Sequence, residues 1–249
     1  MRALLNLVLT MFILLACAPA LADKRVALVI GNSSYQKVAK LVTPANDAVA
    51  VADMLKAAGF DSVETRLDGT YADMRRALRE LSEKSRDADV AVVYYAGHAG
   101  HIGGTNYLIP VDATLERQQD APDETVSLDY VMFTVQSARK RGLVLVDACR
   151  EYPFYQSTKA LSASGLDKIK PPTNVLISLA AGAGSIAPDG TGQNSPYARA
   201  LIDRLAKPGV NIRLAFDRIR EDVLHATANA QEPSLFGSLA GEFYLIGPK

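Results

Sequence analysis

Cysteine is scarce in this 249-residue sequence, which holds only two, Cys17 and Cys149. A disulfide scaffold is excluded unless those two pair, and a chain of this length buries enough surface to fold without one. Charge of one sign is lacking too. The 27 Lys and Arg balance 27 Asp and Glu, and no basic run offers the footprint that nucleic acid requires, so no nucleic-acid partner is expected. Beyond the N-terminus no apolar stretch reaches the roughly 20 residues that span a bilayer, and no transmembrane helix is expected in the mature chain. Internal repeats and low-complexity segments are absent, as is any linker that would split the domain. Gly31-Asn32-Ser33-Ser34 is neither a P-loop nor a dinucleotide fingerprint, which leaves a nucleotide-binding module with little support. What is present, 49% hydrophobic and 22% charged residues, is an ordinary globular composition.

The N-terminus reads as a targeting segment. Met1-Arg2 supplies a small positive start, residues 3–16 are apolar apart from Asn6 and Thr10, and Ala20-Leu21-Ala22 has the small-x-small pattern that signal peptidases read. The expected organisation is a signal peptide over residues 1–22 and one exported domain over 23–249, periplasmic or secreted. A second processing route is open, because Leu14-Leu15-Ala16-Cys17 resembles a bacterial lipobox that would lipidate Cys17 and anchor the domain. By either route Cys149 is left as the single unmodified thiol, an unusual feature in an oxidising compartment.

From Asp23 onward, short apolar runs alternate with helical patterns, the signature of an α/β fold with a mostly parallel sheet and helices on both faces. Strands are expected at 26–30, 60–66, 90–95, 143–146 and 174–179, with 242–246 closing the sheet. Val51, Met54, Leu55 and Ala58 share one helical face before Gly59, and Met74, Ala77, Leu78 and Leu81 share another behind a capping box at Thr70 to Asp73. Ser127 caps a helix bearing Leu128, Val131, Met132 and Val135; Ser195-Pro196 opens another; Ile212, Ala215, Phe216, Ile219 and Val223 mark the last. Residues 113–125 and 151–173 read as long irregular loops.

Ligands of such sheets bind beyond the carboxyl ends of the strands. Val92-Val93-Tyr94-Tyr95 is followed by Ala96-Gly97-His98-Ala99-Gly100, and Leu143-Val144-Leu145-Val146 by Asp147-Ala148-Cys149. A histidine and a cysteine thus fall at the same edge, where imidazole and thiol can form an activated nucleophile. Amide hydrolysis also needs donors for the oxyanion, for which backbone amides around Ala99, Gly100 and Cys149, expected in loops, are candidates. Each residue alone has a plainer reading, Cys149 as a buried apolar thiol and His98 as a satisfied polar side chain.

Together these segments resemble the caspase-like cysteine peptidases, including metacaspases and their bacterial relatives. The resemblance covers nearly all of the mature chain. Residues 25–32 look like the family's first strand and turn, Asn46-Asp47-Ala48 like its first helix, Tyr94-Tyr95-Ala96-Gly97-His98 like its histidine motif, residues 106–113 like the hairpin segment that follows, and Asp147-Ala148-Cys149-Arg150 like its nucleophile motif. The interval of about 50 residues from histidine to cysteine is also that of caspases. The resemblance implies a three-layer αβα sandwich, a His98–Cys149 dyad and a peptide or protein substrate. In metacaspase-like members the specificity pocket is acidic and accepts Arg or Lys, which singles out Asp147, with Asp47 and Asp189 in segments similar to those carrying the other pocket acids. Asp47 also suits the first turn of a helix, and Asp189-Gly190 is an ordinary turn pair.

Two departures bear on activity. Ala99 stands where the family usually has Gly, and a positive φ there would strain it by roughly 1 kcal/mol or more. The segment 179–184 lacks a Thr and a Pro common in bacterial relatives. These departures motivate an alternative, a catalytically silent caspase-like domain that binds a peptide or protein. His101 lies near His98 but no third metal ligand is evident, so it reads as a hairpin-loop histidine. Calcium, needed by some metacaspases, has oxygen donors on offer at Asp112, Glu116, Asp120, Asp123 and Glu124, without EF-hand spacing; no metal site or other cofactor is assigned. The oligomeric state is left open, including pairing through a sheet edge near Tyr244.

Overall fold

A computed structural model describes residues 23–149, 169–181 and 192–248. The signal peptide assigned to 1–22, Asp189 and most of the loop after Cys149 lie outside the described residues.

Strand β1 (Arg25–Gly31) is apolar at every buried position because both of its faces are covered. Val26, Leu28 and Ile30 point to one side of the sheet, and Ala27 and Val29 to the other. Helix α1 (Pro44–Ala57) follows, then β2 (Ser62–Leu67), helix α2 (Tyr71–Arg86) and β3 (Val90–Ile102). The capping box at the start of α2 forms as its sequence indicates: Thr70 Oγ1 accepts from the Asp73 amide, and the Asp73 carboxylate accepts from the Thr70 amide.

Strand β4 (Thr105–Leu108) turns back on β3 through Gly103 and Gly104, whose φ of 58° and 87° suit a tight hairpin turn. A 3-10 turn (Gln118–Asp120), the short α3 (Ala121–Glu124) and β5 (Val126–Ser127) lead into α4 (Leu128–Gln136), capped by Ser127. The last elements are β6 (Arg141–Cys149), β7 (Val175–Leu179), α5 (Pro196–Leu205) behind its Ser195 cap, α6 (Ile212–Ala226) and β8 (Ser234–Gly237).

The main sheet runs β2-β1-β3-β6-β7-β8, parallel except for β8. One layer places Val51 and Leu55 of α1, Leu201 of α5 and Phe216 and Ile219 of α6 against Ala27, Val29, Val92 and Tyr94. The other places Met74 and Leu78 of α2 and Val131 and Val135 of α4 against Leu28, Ile30, Val93 and Tyr95. This is the expected three-layer αβα sandwich. A smaller cluster of Tyr35, Ile102, Tyr107, Ile109 and Leu115 lies around the hairpin.

Residues 242–246 do not close the sheet. Tyr244 makes one isolated bridge to Asn211, and Phe243 and Leu245 bury against the layer of α1, α5 and α6, so their alternation serves packing rather than strand pairing. The closing strand is β8. The stretch 113–125 is less irregular than its composition suggests, because the Glu124 carboxylate accepts from the amides of Thr114 and Leu115 at 2.6 and 2.8 Å.

Candidate active site

Parallel pairing of β3 with β6 continues to the last residues of the motif, setting Ala96 beside Asp147, Gly97 beside Ala148 and His98 beside Cys149. The juxtaposition expected from sequence is thus a matter of strand register. Val90 to Tyr95 holds β3 in the apolar sheet, and the same strand runs on past His98 into the hairpin with β4.

On the edge of β3 that β1 leaves at Ala96, β4 takes over from His98 onward while β6 stays on the other edge, and two tyrosines bind the His98 peptide groups. The His98 amide donates to the Tyr35 hydroxyl at 2.8 Å, which donates in turn to the Ile109 carbonyl at 3.1 Å. The Tyr95 hydroxyl donates to the His98 carbonyl at 2.6 Å and lies 3.2 Å from the Tyr35 oxygen. The Tyr35 ring packs on the imidazole, with centroids 4.5 Å apart and planes at 56°. Gly97 is needed here: its φ is 151°, and a Cβ would come within 2.7 Å of both tyrosine hydroxyls. Burial, then the Tyr35 hydroxyl beside it, pushes the Tyr95 phenol well above its ordinary range, so it stays protonated. Asp68 holds the turn that carries Tyr35, accepting from the amides of Ser33 and Ser34 at 2.8 Å each. Its partial burial works against ionisation, but these bonds prevail and leave the carboxyl below its ordinary range.

Two of the three acids meet behind the strand ends. Asp47, buried in the first turn of α1, accepts from Asn194 Nδ2 at 2.8 Å and from the Ser195 amide at 3.0 Å. Asp147, also buried, accepts from Ser195 Oγ at 2.6 Å and from the Tyr94 hydroxyl at 3.1 Å. Ser195 therefore joins both carboxylates while accepting from the Ala198 amide to cap α5 at 2.9 Å. The N-terminal ends of α1 and α5 converge here, and the positive ends of their dipoles favour negative charge. Burial, and next the charges of Asp147 and Asp47, push the Tyr94 phenol far up, which keeps it a donor. Asp47 thus does more than complement its own helix.

Ala99 and Gly100 lie in β3, opposite Leu108 and Tyr107, and not in a loop. Bonding alternates along an antiparallel ladder, and the Ile109 amide reaches the His98 carbonyl at 3.0 Å. The Gly100 amide is consequently directed toward β4, which removes it as an oxyanion donor, and the Ala99 amide faces the opposite edge, toward the paired Cys149 of β6. Ala99 has no positive φ, and its methyl group is buried with Tyr95 and Leu108, so the strain expected there is absent. Of the altered wall, Ala180 and Ala181 are described: the Ala180 amide donates to the Val146 carbonyl at 2.8 Å, and its carbonyl accepts from Gln231 at 2.9 Å.

His101 is a strand residue, its Nδ1 3.0 Å from Asn106 Oδ1. Three residues along a strand place it on the face opposite His98. Among the described residues no three His, Cys, Asp or Glu converge as metal ligands. Within the acidic stretch, Asp112 accepts from the Tyr71 amide at 2.8 Å and Asp120 pairs with Arg117 at 2.7 Å. Sequence patterning did not reveal Tyr35, Asn194 or Tyr94 as site residues, and it identified Ser195 only as a helix cap.

Comparison with known proteins follows the same span. A model of the caspase domain matches residues 24–244. The chain belongs to the caspase-domain family. It is 28% identical over 235 residues to human mucosa-associated lymphoid tissue lymphoma translocation protein 1, covering 92% of this chain and 27% of the relative. The mouse homolog matches with the same identity and coverage. The chain spans about a quarter of the length of these curated relatives. Membership in the caspase-domain family makes it a member of a cysteine peptidase family, whose substrates are proteins.

Proposed function

We propose that this caspase-domain protein is an exported cysteine endopeptidase with a His98–Cys149 dyad and a preference for cleavage after Arg or Lys. The observation that carries the reading is the register pairing His98 with Cys149, one pleat beyond Asp147. The Cys149 thiolate attacks the scissile carbonyl carbon, and backbone N–H groups at the strand ends hold the resulting oxyanion. As the tetrahedral species collapses, the C–N bond breaks, imidazolium His98 gives its proton to the leaving amine, and a thioester remains on Cys149. His98 then takes a proton from the water that hydrolyses the thioester. Asp147 and Asp47, with Asp189 as the third acid of the set, receive the cationic side chain of the residue before the cleaved bond.

Four hydrogen bonds from hydroxyl, amide and backbone donors hold the two carboxylates in fixed orientation, which supports this assignment of the acids. The alternative of a silent binding domain loses its main argument with the relaxed backbone at Ala99. Export by signal-peptide cleavage before Asp23, or anchoring by lipidation at Cys17, belongs to the same proposal. The test is hydrolysis of paired fluorogenic peptides ending in Arg or Asp, in reducing buffer with and without calcium. Arg-selective turnover that falls by roughly a thousandfold or more in Cys149→Ala is expected. Asp-selective turnover would discard the acidic pocket, and no turnover would discard the enzyme reading.

A further inference from the structure

We propose that Tyr35 is a positioning residue for His98, acting through a hydroxyl inserted where the β3–β4 pairing continues from Ala99–Leu108 to His98–Ile109, on the edge that β1 leaves at Ala96. In a regular antiparallel pair the amide and carbonyl of His98 would both bond to residue 109. Only one of those bonds is direct, from the Ile109 amide to the His98 carbonyl at 3.0 Å. The other is replaced by a relay in which the His98 amide donates to Tyr35 Oη, and Tyr35 Oη donates to the Ile109 carbonyl, at 2.8 and 3.1 Å. The inserted oxygen opens the ladder at His98.

The same side chain lays its ring on the imidazole, so one residue governs both the main-chain direction from which the imidazole departs and one of the surfaces it rests on. The neighbouring elements hold Tyr35 in place. Tyr95 closes the relay from the sheet side, and Asp68 fixes the turn from which Tyr35 projects. Gly97 leaves room for the two hydroxyls, and Asn32 Nδ2 donates to the Ile109 carbonyl at 3.1 Å. A purely structural tyrosine would have no need to meet the one residue that bears the general acid, through hydroxyl and ring at once.

The inference rests on the proposed dyad, and the experiment separates the two. Tyr35→Phe keeps the ring and removes the relay. In the processed protein its kcat is expected to fall by roughly ten- to a hundredfold with little change in KM, the effect of a small displacement of a reacting group. The pH midpoint for alkylation of Cys149 by iodoacetamide should rise toward that of an ordinary thiol, about 8.5, because a displaced imidazolium stabilises the thiolate less. Tyr197→Phe is the control, since it removes an equally buried hydroxyl, bonded to Ser178 at 2.8 Å. It should lower Tm while leaving the alkylation profile in place. If Tyr35→Phe lowers Tm as Tyr197→Phe does, with kcat and the alkylation profile unmoved, Tyr35 is structural and the inference is overturned. His98→Ala reports on the dyad itself: wild-type turnover and alkylation in that variant would remove the dyad, and this inference with it. Should Tyr35→Phe fail to fold, Asp68→Gly provides the second variant, because glycine suits the φ of 52° at that position. It loosens the turn behind Tyr35, and the same shift in smaller measure is expected; an unmoved profile there also overturns the inference.

Discussion

Where the parallel strands begin, carboxylates meet cations; where they end, the described partners of the carboxylates are neutral. At the first edge Lys140 lies 2.5 Å from Asp23 and 3.3 Å from Asp89, and Arg139 lies 3.6 Å from Asp87. At the second edge Asp47 and Asp147 take hydroxyl, amide and backbone N–H donors from Tyr94, Asn194 and Ser195. A cation partner neutralises a carboxylate and leaves a surface staple of small worth. Hydroxyl, amide and backbone dipoles orient the carboxylates of the second edge, which under the proposed function receive a cation from outside. The two edges thus surround one residue type with different described partners, and the contrast can be broken experimentally.

The largest effect is expected from replacing both buried acids. Asp47→Asn with Asp147→Asn should lower kcat/KM for an Arg peptide by roughly a hundredfold or more, chiefly through KM, and reduce the preference over a neutral residue at that position. Retained Arg preference would show that the charge lies elsewhere. A smaller loss follows from Ser195→Ala, which removes the α5 cap, costing about 1 kcal/mol, and one donor to Asp147. Its Tm should drop and its KM for Arg peptides rise severalfold; a drop in Tm alone would make Ser195 a cap and nothing more.

Glu124 sharpens the comparison as an intermediate case, a carboxylate held by neutral donors with a structural task. Its partial burial opposes ionisation, but hydrogen bonds from Leu115 and Thr114 outweigh that and hold the carboxyl below its ordinary range. A depressed folded-state pKa contributes stability above the unfolded value of about 4.3, and that stability is lost as pH falls through the folded value. Melting curves between neutral pH and pH 3 should show Glu124→Gln less stable at neutrality and flatter in acid, with turnover per folded molecule unchanged. The smallest effect belongs to Lys140→Ala, whose exposed pairs with Asp23 and Asp89 should leave both Tm and kcat/KM at wild-type values in physiological salt.

The framework of the site is legible in the sequence because apolar strands and helix caps are local signals. Val92 to Tyr95 and Leu143 to Val146 predict two sheet strands, and the residues after them form the neighbouring strand ends seen in the structure. The sequence reading stops β3 seven residues early, since the stretch from Ala96 to Ile102 is mostly Ala, Gly and His. Its strand character comes from pairing with β6 and β4, a long-range effect that composition does not record. Residues 242–246 mislead in the opposite sense, having the aromatic and branched character of a strand and the location of a packing segment. Tyr35 escapes notice because a phenol that bonds to a main chain more than 60 residues away leaves no periodic trace.

The chain enters β1 at Arg25, on the edge opposite His98 and Cys149. A parallel strand of the length of β6 spans about 25 Å, so this distance separates the point of entry from the strand ends. Anything joined ahead of Asp23, whether a lipid, a leader or another chain, would hold the molecule by its base. The strand ends that carry His98 and Cys149 would then face away from the support.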